Sequence, residues 1–176
     1  MNTSNHNYFT LLELTPECEI DTLVLEKNFQ RLQSLLHPDR FVNADATRRL
    51  LAIQQSSILN DGYKILKSPL HRAEHLLQLQ GIDTSVHKQI QLDGKFLIAQ
   101  MEMREDLENL LLQGNAKGMI FMQKEVKKEI TSVWAAFKIQ IMAATYMAAK
   151  AQFHKLQFLY RLHDEIRAAE DKLLDT

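Results

Sequence analysis

Cysteine is all but missing: Cys18 stands alone. It closes no internal disulfide and has no companion for a zinc site. A bound iron–sulfur cluster is excluded as well, because its ligation takes several thiolates. The expectation is a chain with no metal and no cofactor of its own, at home in a reducing compartment. Glycine (5) and proline (3) are scarce, so turns are few and long helices are favoured. An excess of either charge is missing too. The formal net charge of −1 gives no whole-protein attraction to nucleic acid or to an anionic membrane. No apolar run approaches the roughly 20 residues that span a bilayer. Met1–Asn7 is polar, without the basic-then-apolar pattern of a secretion signal. Together these absences point to a cytoplasmic protein. There is no strand alternation, internal repeat or low-complexity tract, which leaves an all-α fold.

What is present fits that class. The 176 residues, 45% hydrophobic and 24% charged, suit one large or two small domains of ordinary composition. Tyr8–Leu14 reads as a short helix stopped before Pro16. Asp21 is a good N-cap for a second helix, whose Leu25, Phe29, Leu32 and Leu36 form one stripe while Lys27 and Arg31 share another face. Pro38 ends it, and a loop over 39–45 follows. A third helix is expected over 46–66, with Leu51, Ile58, Gly62 and Ile65 on one side, and a short fourth over 70–80. Residues 81–91 read as a linker after Gly81. Helices are then expected over 92–113, 116–140 and 143–174, split first at Gly114-Asn115 and then at a poorly marked boundary near Met142. The architecture is an N-terminal helical domain over 1–80 joined to a C-terminal three-helix bundle over 92–176.

The motif that carries function is His37-Pro38-Asp39. Such a tripeptide arises by chance in roughly one chain in a hundred of this length, so its placement decides its meaning. It falls between two amphipathic helices, which would pack as an antiparallel hairpin and leave it exposed at the tip. Asp39 offers an acceptor-only carboxylate suited to a partner arginine, with Lys27, Arg31 and Arg40 as nearby cations. No nucleophile–base pair lies around the turn, and no paired acid or cofactor loop appears elsewhere, so an enzyme is the least supported class. A purely structural helical bundle is the remaining alternative.

Residues 8–77 resemble a J domain, the module that activates the ATPase of a seventy-kilodalton heat-shock chaperone. The resemblance rests on Tyr8-Phe9-Thr10-Leu11-Leu12, Phe29-Gln30-Arg31-Leu32, His37-Pro38-Asp39-Arg40-Phe41 and Asn60 through Leu66. It implies that Lys27, Arg31 and Arg40 attract an acidic chaperone surface, and that His37, Pro38 and Asp39 trigger ATP hydrolysis by the chaperone. Lysine is more usual than Arg40 after the tripeptide, which preserves charge but changes hydrogen bonding.

In the second half, Phe96, Ala99, Met103, Leu107 and Leu110 form a packing stripe on the helix from Leu92. Leu97, Ile98 and Met101 form a second apolar patch on roughly the opposite side, bordered by Glu105 and Glu108. The pattern leaves two readings open. Both sides are buried in a larger bundle, or the patch is an exposed binding site with an acidic rim.

Here the stretch Phe96-Leu97-Ile98-Ala99-Gln100-Met101-Glu102-Met103-Arg104-Glu105 resembles the HscB family, J-type co-chaperones of iron–sulfur cluster assembly. So do Ser68-Pro69-Leu70-His71-Arg72-Ala73-Glu74 and Leu156-Gln157-Phe158-Leu159. The likeness covers nearly the whole chain and is weakest over 114–150. It implies that the C-terminal domain binds the cluster scaffold IscU and brings it to the specialised chaperone HscA. The matching scaffold-binding positions are Leu97, Ile98, Met101, Glu102, Arg104, Glu105 and Phe158, although Phe158 also suits an ordinary bundle edge. A J-domain adaptor for a different client is the alternative. Gly62 and His75 depart from the family, where alanine-like and aromatic residues are more usual. Absence of the cysteine-rich module of some eukaryotic relatives favours a bacterial type. His71 and His75 have metal-ligand spacing but no evident third ligand. Lys124, Lys127, Lys128 and Lys138 read as a solvated face, and Trp134 and Phe137 as core.

Overall fold

Four polar side chains start four helices. Asp21 accepts hydrogen bonds from the amides of Leu23 and Val24, Asp45 from Arg48, Ser68 from His71 and Asn115 from Gly118. Each satisfies amides that have no partner inside the helix. The computed structural model describes residues 6–41, 45–85 and 94–174. Its helices are α1 (Tyr8–Leu11), α2 (Thr22–Leu36), α3 (Ala46–Lys67), α4 (Pro69–Leu79), α5 (Gly94–Leu112), α6 (Ala116–Met142) and α7 (Tyr146–Leu174), with no strand among the described residues. The fold is all-α. Most of the expected linker, the expected helix start at Leu92 and residues 42–44 of the expected 39–45 loop lie outside the described residues.

The chain divides into two compact units, Met1–Gly81 and Ile82–Thr176. In the first, α2 and α3 pack together, with α1 and α4 on α3. Phe9, Leu12, Leu25, Leu59, Leu66 and Leu76 are its buried centre, and Phe29, Leu32, Leu36 and Tyr63 pack against it. The second helix therefore buries the stripe expected of it. The third does so in part: Gly62 is buried and Ile58 and Ile65 are half-buried as expected, but Leu51 is exposed, and the remaining buried positions are Ala52, Leu59 and Leu66. The first turns of α3 carry exposed Leu50, Leu51 and Ile53, with Ala52 buried among them.

Two further corrections are local. The helix expected over Tyr8–Leu14 closes at Leu11, where the Leu14 amide reaches back to the Phe9 carbonyl. Glu13 lies between them at φ 57°, the left-handed residue of a Schellman stop. The poorly marked C-terminal boundary is likewise a left-handed turn without glycine, at Ala144 (φ 54°), between Met142 and Tyr146.

Gly62 and His75 belong to one packing solution. A Cβ on Gly62 would lie 2.7 Å from Cδ1 of Tyr8 and 3.4 Å from its Cβ, so the ring root, not a flexible tip, fills that space. His75 closes the other side. Its ring lies 4.8 Å from the Tyr8 ring and 5.8 Å from that of Phe9. Its Nε2 accepts the Tyr8 amide at 3.1 Å, one of the orphan donors of α1. Burial pushes the His75 pKa down, which keeps the ring neutral and able to accept. Gly62→Ala gains about 1 kcal/mol of helix propensity but overpacks a ring that His75 prevents from yielding, a loss of about 1–3 kcal/mol. The expected net result is destabilisation, read as a lower urea midpoint with an unchanged slope; a raised midpoint would show that Tyr8 moves freely.

The second unit is a three-helix bundle. Trp134 on α6 donates to the Tyr160 hydroxyl on α7 at 3.0 Å, and Gln123 to Glu170 at 3.1 Å. Rising numbers on one helix meet falling numbers on the other, so α6 and α7 are antiparallel. Met119, Val126, Val133, Phe137, Phe153, Leu156, Leu159, Leu162 and Ile166 fill the centre. Phe137 is core as expected, and Trp134 is half-buried with its indole N–H satisfied.

Candidate functional site

The tip of the first unit is built by the end of α2. His37 leaves helical geometry (φ −61°, ψ 130°) as its C-cap, and Pro38–Phe41 form a 3-10 turn that packs on α3. This turn replaces the irregular loop expected to start at Asp39. Proline fits its start, where no backbone donor is required. His37 and Asp39 are both exposed. The His37 Nδ1 accepts the Asp39 amide at 3.3 Å. The Asp39 carboxylate lies 3.5 Å from the same nitrogen and is largely in solvent, open to an external donor.

The cations near this tip differ in their engagement. Lys27 is exposed on α2. Arg40 turns back so that Nη1 donates to the Ser34 carbonyl at 3.4 Å, toward the negative end of α2. Arg31 is ion-paired with Glu13 at 2.5 Å. The helix carrying Lys27 and Arg31 is held against α3 by stacking of Phe29 on Tyr63. The Tyr63 hydroxyl donates to Glu26, and Lys67 Nζ donates to the Tyr63 oxygen at 2.9 Å. The Tyr63 bond, with help from Gln30 and Lys67, holds the Glu26 carboxyl below its usual range.

On the second unit, α5 runs parallel to α7: Phe96 meets Phe158 edge-on at 6.3 Å, and Arg104 pairs with Glu165 at 3.1 Å. Leu107 and Gln100 are buried, and Phe96, Ala99, Met103 and Leu110 are half-buried, so the packing stripe lies where the periodicity put it. The opposite face stays open, so the patch is not buried within this bundle. Leu97, Ile98 and Met101 are 39%, 57% and 71% exposed. Glu102 and Glu105 are exposed beside them, and Phe158 is half-buried at the edge.

Arg104 stands apart from this group, since its guanidinium already ties α5 to α7. Lys155 lies over the Phe96 ring at 5.2 Å, adding a cation beside the patch. Gln100 was missed by the sequence reading. It lies one turn from both Phe96 and Met103, a spacing that assigns it to the packing side. It donates to the Met103 sulfur at 3.8 Å, and its Oε1 has no partner among the described residues.

Of the two histidines with metal-ligand spacing, His71 is exposed and His75 is committed to Tyr8. Among the described residues no helix is long and apolar enough to cross a membrane.

Comparison with known proteins accounts for both units. Residues 92–167 match the family model described as the HSCB C-terminal oligomerisation domain. The co-chaperone protein HscB homolog of Shewanella frigidimarina (strain NCIMB 400) is 39% identical over 173 residues, spanning 96% of this chain and 99% of the relative. Among solved structures, chaperone HscB from Vibrio cholerae superposes with a TM-score of 0.86 at 36% identity, covering 96% and 99% of the two chains. Human co-chaperone HscB gives 0.83 at 26% identity, covering 96% of this chain and 83% of its own. The chain belongs to the HscB family of J-domain co-chaperones.

Proposed function

We propose that the chain is a cytoplasmic adaptor. It binds an IscU-type iron–sulfur scaffold through α5, brings it to an HscA-type chaperone and stimulates that chaperone's ATPase. The observation that carries this reading is the open apolar face of Leu97, Ile98 and Met101 on a helix whose other side is packed into the bundle. A helix needs one buried face to stand in a bundle, and a second apolar face left in water is the form of a docking site. Leu97, Ile98 and Met101 supply affinity there, with Phe158 at the edge. Glu102 and Glu105 set charge complementarity. Arg104 acts from its ion pair with Glu165.

Residues 1–80 serve the chaperone. His37, Pro38 and Asp39 are the trigger, and Lys27, Arg31 and Arg40 guide docking by charge. The chaperone performs the hydrolysis, and this chain brings no metal or cofactor to it. The reading is supported by membership in a family named for co-chaperone activity and by an exposed carboxylate at the tip.

The test is chaperone ATP turnover with the chain, with the scaffold, and with both. Turnover with both should exceed the sum of the separate stimulations. No stimulation, together with no scaffold binding, would overturn the proposal. Stimulation without scaffold binding would reassign the client while keeping the N-terminal role.

A further inference from the structure

The residue that limits the basic face is Glu13. It sits where a helix stop normally takes glycine, at φ 57°. A side chain there costs energy that glycine avoids. The surroundings hold it nonetheless. The Leu14 amide bonds the Phe9 carbonyl at 2.8 Å and the Glu13 amide bonds Thr10 at 3.2 Å. From α2, the Asn28 side chain donates to the Leu12 carbonyl at 2.9 Å and to that of Glu13 at 3.4 Å. One turn further along α2, Arg31 reaches the Glu13 carboxylate at 2.5 Å. Both partners of this ion pair are about half exposed. A pair this exposed adds little to folding, yet it occupies a guanidinium that faces outward on the proposed docking helix.

We infer that Glu13 is an internal competitor for the chaperone: its carboxylate neutralises Arg31 in the free protein and must be displaced by an acidic group of the partner. The inference rests on the proposed docking role of α2. Its consequence is a weaker, more selective encounter, because only a partner carboxylate placed to take over the Arg31 fork recovers the lost pair. Lys27 remains available for steering without such an exchange. Glu13 is thus a specificity-determining residue that touches no catalytic group.

The experiment is a double-mutant cycle read as the concentration giving half-maximal stimulation of the HscA-type chaperone's ATPase. Glu13→Gln keeps the size of the side chain and removes its charge. It should lower that concentration by about two- to five-fold, the range an exposed ion pair can control, and should steepen the salt dependence. In an Arg31→Ala background the same change should have no effect. Glu13→Gly, which also relaxes the backbone, should tighten binding to the same extent as Glu13→Gln.

Several results would overturn the inference. Glu13→Gln could leave the concentration unchanged while Arg31→Ala raises it; the docking helix then stands and the competition fails. An equal gain in both backgrounds would reduce Glu13 to a general charge effect. Arg31→Ala without any effect would remove Arg31 from the docking face and the competition with it. A Glu13→Gly protein that is more heat-stable but binds no tighter would leave Glu13 a purely structural residue.

Discussion

Asp39→Ala should abolish chaperone stimulation while leaving the fold and scaffold binding intact. The Asp39 side chain is 85% exposed, and among the described residues its polar contact is with His37. Removing the carboxylate therefore uncovers no core, and the thermal midpoint should stay where it is. The loss should fall on the complex. Truncating one partner of a charged hydrogen-bonded pair that becomes desolvated in an interface costs about 2–5 kcal/mol, well beyond ten-fold in stimulation. The measurement is steady-state ATP turnover at saturating scaffold, with scaffold affinity determined in parallel. Wild-type stimulation by the variant would mean that the tip is a helix stop and nothing more.

The second large effect is expected in the second unit. Leu97→Ala combined with Met101→Ala should weaken scaffold binding by about 2–4 kcal/mol, since apolar anchors at the centre of an interface dominate its energy. Basal stimulation of the chaperone should persist. Both side chains project from the open face of α5, so the unfolding free energy should change by roughly 0.5 kcal/mol or less. Equal scaffold affinity in the doubly substituted and wild-type proteins would move the docking site off this face. Arg104→Ala is a poorer probe, because it also breaks the pair with Glu165 that links α5 to α7.

Much of the fold was legible because local chemistry and long-range packing agree in this chain. Asp21, Ser68-Pro69 and Gly114-Asn115 mark helix ends by their own hydrogen-bonding habits, and the helices begin or end within a few residues of them. The α5 stripe was legible for the same reason: one helical period describes both its packed and its open side. Leu51 was misread because the inward position of that turn is the neighbouring Ala52, a small residue that contributes little to an apolar periodicity.

The site was less legible wherever a side chain is engaged by one distant in sequence. Arg31 meets Glu13 across 18 residues, and Arg104 meets Glu165 across 61. Both arginines looked equivalent to free surface cations until those partners were placed. Arg72 is a similar case. Buried between helices, it donates to the Cys18 carbonyl at 2.9 Å and the Leu66 carbonyl at 2.7 Å. It thereby satisfies acceptors that the end of α3 and the loop before α2 would otherwise bury unpaired. Neither its type nor its spacing signalled that task.

The arrangement of Tyr8, Gly62 and His75 also constrains how this sequence can change. An aromatic hydrocarbon at position 75 would strand the Tyr8 amide that His75 now accepts, and alanine at 62 would strike the Tyr8 ring. Each single step toward the more usual residue is therefore uphill. Positions 62 and 75 both bear on the Tyr8 ring. Neighbours coupled in this way are strongly non-additive, and the cost of changing both is not the sum of the two single costs.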